Sequence, residues 1–199
     1  MKSTSKDFSD SNSGWDTTWE NKIYGLGRHL NLYPHHSVVS FLMRKYPQPQ
    51  NRTKIRVLEV GCGAGNNLWF AAREGFQVSG IDGSESAIEF ARQRFDNDRL
   101  VGDFQVGDFQ CLDWKSSTFD IVIDRQAVLC NRLDVIERSF DEVKRVLKKG
   151  GAFFSMIYSD RHPERINGRH LGDNSYDNFN VGYFKDCGTV HFSPVDEIK

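Results

Sequence analysis

The stretch from Val57 to Ser84, VLEVGCGAGNNLWFAAREGFQVSGIDGS, contains the features that decide the fold. It has an apolar run, a glycine-rich turn, a helical pattern, a second apolar run and then a single acid, Asp82. This order is typical of a βαβ unit that holds a nucleotide beside the turn between the first strand and the helix. Which kind of nucleotide fits depends on the residues in that turn, because dinucleotides and single phosphates each require a particular pattern.

The composition favours one globular domain without nucleic-acid or membrane partners. The 199 residues are 38% hydrophobic, and the net charge of −1 provides no positive field for a nucleic acid. The N-terminus is polar, and no apolar run approaches the ~20 residues of a membrane span, so we expect a cytoplasmic protein. The cysteines lack the spacing of a metal site, which predicts free thiols and no metal; they are Cys62, Cys111, Cys130 and Cys187.

The chain divides into four segments of different texture within one expected domain. Residues 1–14 are rich in Ser, Asp and Asn and are predicted to be a disordered tail. Residues 15–53 are predicted to form an N-terminal helical cap, with Ser37 as the N-cap of a helix to Tyr46. Residues 54–158 form the predicted core, and 159–199 a long irregular segment that we interpret as a substrate lid.

The core shows a strict alternation of strands and helices. The predicted strands are Ile55–Val60, Phe76–Ile81, Asp103–Val106, Phe119–Ile123 and Ala152–Tyr158, and the predicted helices are Asn66–Glu74, Ser84–Phe95 and Leu133–Leu147, the last stopped by Gly150 and Gly151. Continuous apolar strands that alternate with helices indicate a mostly parallel sheet covered on both faces. The predicted fold class is therefore α/β, a Rossmann-like, doubly wound sheet.

The end of the sequence carries a helix-start pattern without a helix to follow. Ser193 suits an N-cap, Pro194 suits the first helical position, and the acids at 196 and 197 suit the positive end of a helix dipole. The sequence then stops at Lys199. We expect from this a chain truncated before its last strands, with an open edge on its sheet.

The glycine-rich turn fits neither signature of phosphate binding. Asn66 stands where the dinucleotide fingerprint has its third glycine, and no Lys follows the glycines as a P-loop requires. Glu59, just before the turn, disfavours an anionic ligand. A cationic or zwitterionic nucleoside fits these residues better.

Four acids follow or end predicted strands. Because the carboxyl ends of parallel strands meet at one edge, we expect Glu59, Asp82, Asp108 and Asp124 to converge where open α/β sheets bind ligands. A carboxylate at Asp82 can accept hydrogen bonds from both hydroxyls of a ribose, and one at Asp108 can accept from an exocyclic amine. This arrangement favours a ligand with a positive charge and several donors.

The motifs LEVGCGAGNN, VGDF, FDIVID and LKKGGAFF, with Asp82 between the first two, closely resemble the class I S-adenosylmethionine-dependent methyltransferases, and most of all their small-molecule branch. The resemblance covers about Ile55 to Tyr158. It implies S-adenosylmethionine as the cofactor and S-adenosylhomocysteine as its product. Lys149 departs from the proline common in the family, and the family's two further strands are absent.

The resemblance also implies a role for each matching residue. The implied cofactor-binding set is Glu59, Gly61, Cys62, Gly63, Asp82, Gly83, Ser84, Gly107, Asp108, Phe109, Asp124 and Arg125. In it, the residues at 61–63 approach the methionine part, Asp82 binds the ribose, and those at 83–84 and 108–109 contact the adenine. Asp124 and Arg125 lie near the methionine amino group or the transferred methyl.

The expected function is transfer of a methyl group to a small-molecule acceptor by in-line displacement. No residue identifies itself as a catalytic base; His35 and His36 are weak candidates, and the Arg and His residues at 161–170 form either an anion clamp or a solvated loop. The alternatives are a catalytically silent nucleoside-binding or partner-binding protein and a nicotinamide-dependent oxidoreductase. A nucleic-acid acceptor is disfavoured, because DRQAVLCN replaces the motif of base-methylating enzymes after the fourth strand. The oligomeric state stays open.

Overall fold

The computed structural model describes residues 17–27 and 32–198, so the predicted tail at 1–14 lies outside the described residues. Its helices are α1 (His36–Lys45), α2 (Asn66–Arg73), α3 (Glu85–Asn97) and α4 (Leu133–Val146). Its strands are β1 (Arg56–Val60), β2 (Gln77–Asp82), β3 (Gly102–Val106), β4 (Phe119–Arg125), β5 (Leu147–Met156), β6 (Arg169–Gly172), β7 (Ser175–Asp177) and β8 (Val190–His191). Shorter helical turns cover Trp19–Ile23, Tyr24–Leu26, Pro49–Lys54, Pro163–Asn167 and Val195–Ile198.

Five parallel strands form the main sheet in the order β3–β2–β1–β4–β5, which confirms the predicted α/β fold. The chain builds outward from β1 to β3 on one side, then returns to place β4 and β5 on the other. The direction of winding therefore reverses between β1 and β4. In open parallel sheets this reversal leaves a crevice at the carboxyl ends of the strands, where ligands bind.

Alternate residues of the central strands supply the two cores. Val57 of β1 and Ile121 of β4 pack with α1, α2 and α3, whereas Leu58 and Val122 pack with α4 on the other face. Helices therefore lie on both faces, as predicted. Because all four of these side chains are fully buried, the sheet is a rigid support for residues at its carboxyl edge.

Three local predictions need correction. His35, not Ser37, caps α1, because its extended backbone lets the ring Nδ1 accept from the Ser37 amide at 3.3 Å. Helix α4 ends at Val146, and Gly150 lies inside β5 rather than stopping the helix. Its φ of 80° suits the irregularity between the Leu147 and Ala152 pairings with β4.

The segment after residue 158 is not wholly irregular, as the sequence suggested. Strands β6, β7 and β8 form a small antiparallel sheet over a core that includes Phe179, Phe184 and Phe192. The final turn is tied to this sheet, since His191 Nε2 lies 2.8 Å from Glu197 Oε2. This aromatic core stabilises regular structure in a segment whose Gly-, Asn- and Asp-rich composition predicted a loop.

Candidate functional site

The glycine-rich turn opens a cleft at the carboxyl end of β1. Gly61 and Gly63 have φ values of 64° and 50°, in the left-handed region that favours glycine. A Cβ on Gly61 would overlap the side chain of Ala127 in the loop after β4. Glycine is therefore needed both for the turn and for the close approach of this loop.

Glu59 is the predicted site residue whose buried carboxyl group lacks a described hydrogen-bond partner for one of its oxygens. It is 2% exposed, and its Oε1 accepts from Asn67 Nδ2 at 2.6 Å. Its Oε2 is buried without a hydrogen-bond partner among the described residues. Burial raises the pKa of Glu59 to about 8, against the opposing effects of Asn67 and Arg125. A buried acceptor of this kind is normally completed by a donor, and Glu59 lines the open cleft.

Asp82 holds the end of β2 to the glycine-rich turn. Gly63 N donates to its Oδ2 at 2.8 Å, and Ser84 N donates to its Oδ1 at 2.9 Å. Burial nevertheless raises its pKa to about 6. A carboxylate offers about four lone-pair sites, so each oxygen of Asp82 can still accept from a ligand hydroxyl.

Asp124 does not face the cleft, although the sequence placed it there. Its Oδ1 accepts from the amides of Ala127 and Val128 at 2.9 and 3.1 Å, and its Oδ2 accepts from Ser155 Oγ at 2.8 Å. Both oxygens are thus used inside the protein, and the side chain is fully buried. The structure gives Asp124 a structural task, the shaping of the loop after β4.

The remaining predicted residues separate into those that line the cleft and those that support it. Gly83, Phe109 and Arg125 line it beside Gly61, and Cys62 and Gly63 line its wider part. Ser84 is the N-cap of α3 and accepts from Ala87 N at 3.0 Å. Asp108 binds Gln110 through both oxygens, and Gly107 N donates to the carbonyl of Asp82, so this pair continues β3 beside the cleft.

Arg125 brings a positive charge to the cleft that the buried acids do not neutralise directly. Its guanidinium donates to Gln126 Oε1 at 3.0 Å. Within the part of the chain that the structure describes, no carboxylate lies at ion-pair distance from it. Glu59 and Arg125 therefore offer a carboxyl group and a guanidinium cation to the same space, as the two charges of a zwitterion require.

Residues 17–27, which we call the strap, cross this cleft. Glu20 accepts from Ser84 Oγ at 2.5 Å, from Ser86 N at 3.3 Å and also from Ser86 Oγ. Burial opposes ionisation of Glu20, but these hydrogen bonds outweigh it and lower its pKa. The Tyr24 hydroxyl lies so close to Gly63 that a Cβ there would overlap it.

The strap divides the cleft into two compartments. The inner one, with Asp82 and Phe109, has a volume of only about 90 Å³, and the outer one, with Glu59 and His35, about 630 Å³. Trp19 and Tyr24 line both. A drug-sized ligand pocket starts at about 300 Å³, so a nucleoside cannot enter the inner compartment with the strap in this position.

The sequence suggested two groups of residues for substrate contacts, and only one of them lines the cleft. His35 and His36 do line the outer compartment. The basic cluster of the lid does not: Arg169 pairs with Asp177 at 2.7 Å, and His162 packs against the ring of Phe184. The lid instead reaches the cleft through Tyr183, Phe184 and Lys185.

Asn67, Trp19, Glu20 and Tyr24 are site residues that the sequence analysis missed. Asn67 could have been found, because a polar residue in the first turn of the helix after a glycine-rich turn points back to the strand end. The strap offered no comparable pattern, because Glu20 contacts residues 64 and 66 positions away.

A larger cavity, of about 1130 Å³, lies elsewhere, between α4 and β5. Its lining is mostly apolar, with Leu133, Phe140 and Phe153 among its members. None of the acids at the strand ends reaches it, so the carboxyl-end cleft is the better candidate site. No helix in the described ranges is long and apolar enough to cross a bilayer.

Comparisons with known proteins find similarity to methyltransferases. The family described as "Methyltransferase domain" matches residues 57–151. A putative methyltransferase of Geobacillus sp. strain WCH70 is 27% identical over 155 residues, which cover 75% of this chain and 61% of that protein. A putative methyltransferase of Bacillus subtilis is 34% identical over 114 residues, 53% of this chain and 43% of that protein. The chain thus spans about three fifths or less of these relatives.

A solved structure supports the fold. An S-adenosylmethionine-dependent methyltransferase from Methanosarcina mazei superposes with a TM-score of 0.63 at 21% identity, over 77% of this chain and 80% of that one. At this identity the likeness concerns the fold alone.

Proposed function

We propose that the chain transfers a methyl group from S-adenosylmethionine to a small-molecule acceptor, because residues 57–151 match the family described as "Methyltransferase domain" and the motifs around the glycine-rich turn resemble the class I S-adenosylmethionine-dependent methyltransferases. The observation that carries this proposal is the unpartnered Oε2 of Glu59, buried beside Gly61 and Gly63. An ammonium group is the donor that best completes a buried carboxylate. The methionine part of the cofactor supplies one.

The carboxylate, ribose and adenine of the cofactor each have a complementary group in the cleft. Arg125 supports the methionine carboxylate, because it lines the cleft beside Glu59 without an ion pair to a described residue. Asp82 accepts from the ribose hydroxyls, with Gly83 and Phe109 around the adenine. Glu59 thus binds the cation and Arg125 the anion of one zwitterion.

The chemical step needs little from the protein beyond alignment. S-adenosylmethionine would supply the activated methyl group: the acceptor's lone pair would bond to the methyl carbon while the carbon–sulfur bond breaks toward sulfur, and a protonated acceptor would release its proton to the bulk solvent. Holding the reactants in line and excluding water are the contributions expected of the site. The lid residues Tyr183 and Phe184 line the outer compartment and are placed to exclude water there.

The proposal is tested by calorimetric titration of the full chain with S-adenosylmethionine, S-adenosylhomocysteine and NAD. We expect both adenosyl ligands to bind and NAD not to bind, because two phosphates would lie beside buried acids. S-adenosylmethionine incubated with an acceptor panel should yield S-adenosylhomocysteine. Binding of NAD alone would contradict the proposal.

The strap gives a prediction about rates. Since the strap fills the nucleoside position, the hydrogen bonds of Glu20 to Ser84 and Ser86 must break before the cofactor enters. Glu20→Ala should therefore speed S-adenosylhomocysteine association by at least about tenfold, because the loss of even one hydrogen bond to a charged group, about 1.5–3 kcal/mol, corresponds to a tenfold or larger change in the population of the open strap. Stopped-flow fluorescence with Trp19 as the reporter measures this rate.

Glu85→Ala is the matched control, since Glu85 lies between Ser84 and Ser86 at the start of α3 but is exposed and makes no hydrogen bond to the strap residues that the structure describes. It removes the same charge near the N-terminus of α3 and should leave the association rate unchanged. Equal acceleration by both variants would indicate a general charge effect. An unchanged rate in Glu20→Ala would show that the strap does not limit entry.

A further inference from the structure

The outer compartment is unusually rich in rings. Six of its 23 lining residues are Phe, Trp or Tyr and two more are His, although Phe, Trp and Tyr make up only 13% of the chain. Most of these rings lie away from Asp82 and Phe109, on the far side of the strap. If the cofactor binds as proposed, this part of the cleft remains for the acceptor.

The rings form two walls from separate parts of the fold. On the lid side, Tyr158, Tyr183 and Phe184 meet edge to face, with ring centroids 4.8 to 6.2 Å apart. On the N-terminal side, the His35 and His36 rings lie 4.7 Å apart. A slot bounded by ring systems favours a flat aromatic ligand, because offset and edge-on ring contacts add to the burial of area.

The charges along the slot differ from end to end. Glu59 lies at the cofactor end, and Arg125 at the border between the compartments. Lys185 lies beyond them, next to Phe184, and is exposed. Among the described residues no carboxylate is at ion-pair distance from Lys185, so its ammonium is available to an anion.

We propose that the acceptor is a planar aromatic molecule with an anionic group, such as an aromatic carboxylate. Its ring lies between the two walls, its anion meets Lys185, and the substituent that receives the methyl group points toward Glu59 and Gly61. This inference rests on the proposed function, since it assigns the acceptor of the same site.

The test uses the full chain saturated with S-adenosylhomocysteine and three calorimetric probes: 4-hydroxybenzoate, its methyl ester, and 4-hydroxycyclohexanecarboxylate. We expect 4-hydroxybenzoate to bind at least about tenfold more tightly than either of the others, since one lacks the charge and the other the flat ring. Lys185→Met should remove the preference over the ester and leave binding of the ester unchanged. Lys115→Met, an exposed lysine outside the cleft, is the control and should change nothing.

Two failures are distinguishable. If S-adenosylhomocysteine itself does not bind, the proposed function falls and this inference with it. If it binds but the three probes bind equally or not at all, only the assignment of an anionic aromatic acceptor is overturned. A Lys185→Met variant that keeps the full preference would also overturn the role of Lys185.

Discussion

Replacing Glu59 with glutamine is expected to weaken S-adenosylhomocysteine binding about 30- to 100-fold. The variant keeps the acceptor for Asn67 Nδ2 but removes the charge that meets the ligand's ammonium, and a charged hydrogen bond of this kind contributes about 2–3 kcal/mol. Calorimetry measures the loss. The comparison ligand is 5′-methylthioadenosine, which lacks the amino-acid part and should bind both proteins equally.

The same variant should gain stability with rising pH relative to the unchanged protein. The pKa of Glu59 is about 8 in the fold against an ordinary 4.5, so the folded protein holds this proton more tightly than the unfolded chain. The stability that Glu59 contributes is therefore lost between about pH 4.5 and pH 8, whereas glutamine does not titrate. The free energy of unfolding of Glu59→Gln should exceed that of the unchanged protein by about 1–3 kcal/mol at pH 8, and the difference should be smaller at pH 5.

Urea unfolding at the two pH values checks this difference. If Glu59→Gln is more stable than the unchanged protein but binds S-adenosylhomocysteine weakly, Glu59 serves ligand binding at the expense of stability. If Glu59→Gln is destabilised equally at both pH values, or if it binds S-adenosylhomocysteine normally, the buried oxygen has a partner other than the cofactor.

Asp82→Ala is expected to lose binding of both S-adenosylhomocysteine and 5′-methylthioadenosine, by more than about 100-fold. The side chain carries the proposed ribose contacts, and it also accepts from the amides of Gly63 and Ser84. Removing it leaves two donors near the cleft without their acceptor, at about 1–3 kcal/mol each. We therefore expect a loss of about 2–6 kcal/mol in the free energy of unfolding, measured by urea titration.

Two further variants separate the ribose contact from this structural effect. Asp82→Asn retains one oxygen for an amide and should be less destabilised while still binding the nucleoside weakly. Asp96→Ala, on the exposed surface of α3, removes an acid without either role and should match the unchanged protein. Retention of 5′-methylthioadenosine binding in Asp82→Ala would place the ribose elsewhere.

The main sheet could be predicted from the sequence because each of its strands and helices has its own local hydrophobic pattern. Mainly apolar runs such as residues 119–123 predict buried parallel strands, and the spacing of residues 133–147 predicts an amphipathic helix. Glu59 and Asp82 could also be placed, since the carboxyl ends of neighbouring parallel strands meet at one edge. These inferences require only periodicity and the topology of βαβ units.

The sequence analysis fails where contacts between segments distant in sequence determine the local structure. Asp124 has the same strand-end position as Asp82, but amides of the following loop and Ser155 of the neighbouring strand turn it inward. The strap depends on Glu20 meeting Ser84 and Ser86, and no local pattern encodes that pairing. The lid sheet depends on a buried aromatic cluster around Phe184 that a count of Gly and Asn conceals.

The most direct test of the proposed cofactor site is a calorimetric titration with S-adenosylhomocysteine at pH 7 in two buffers of different ionisation enthalpy. With a pKa of about 8, Glu59 is mostly protonated at pH 7 in the free protein, and meeting an ammonium group ionises it. We predict stoichiometric binding with release of close to one proton, and none from Glu59→Gln. Binding without proton release would contradict the pairing of Glu59 with the ligand's amino group.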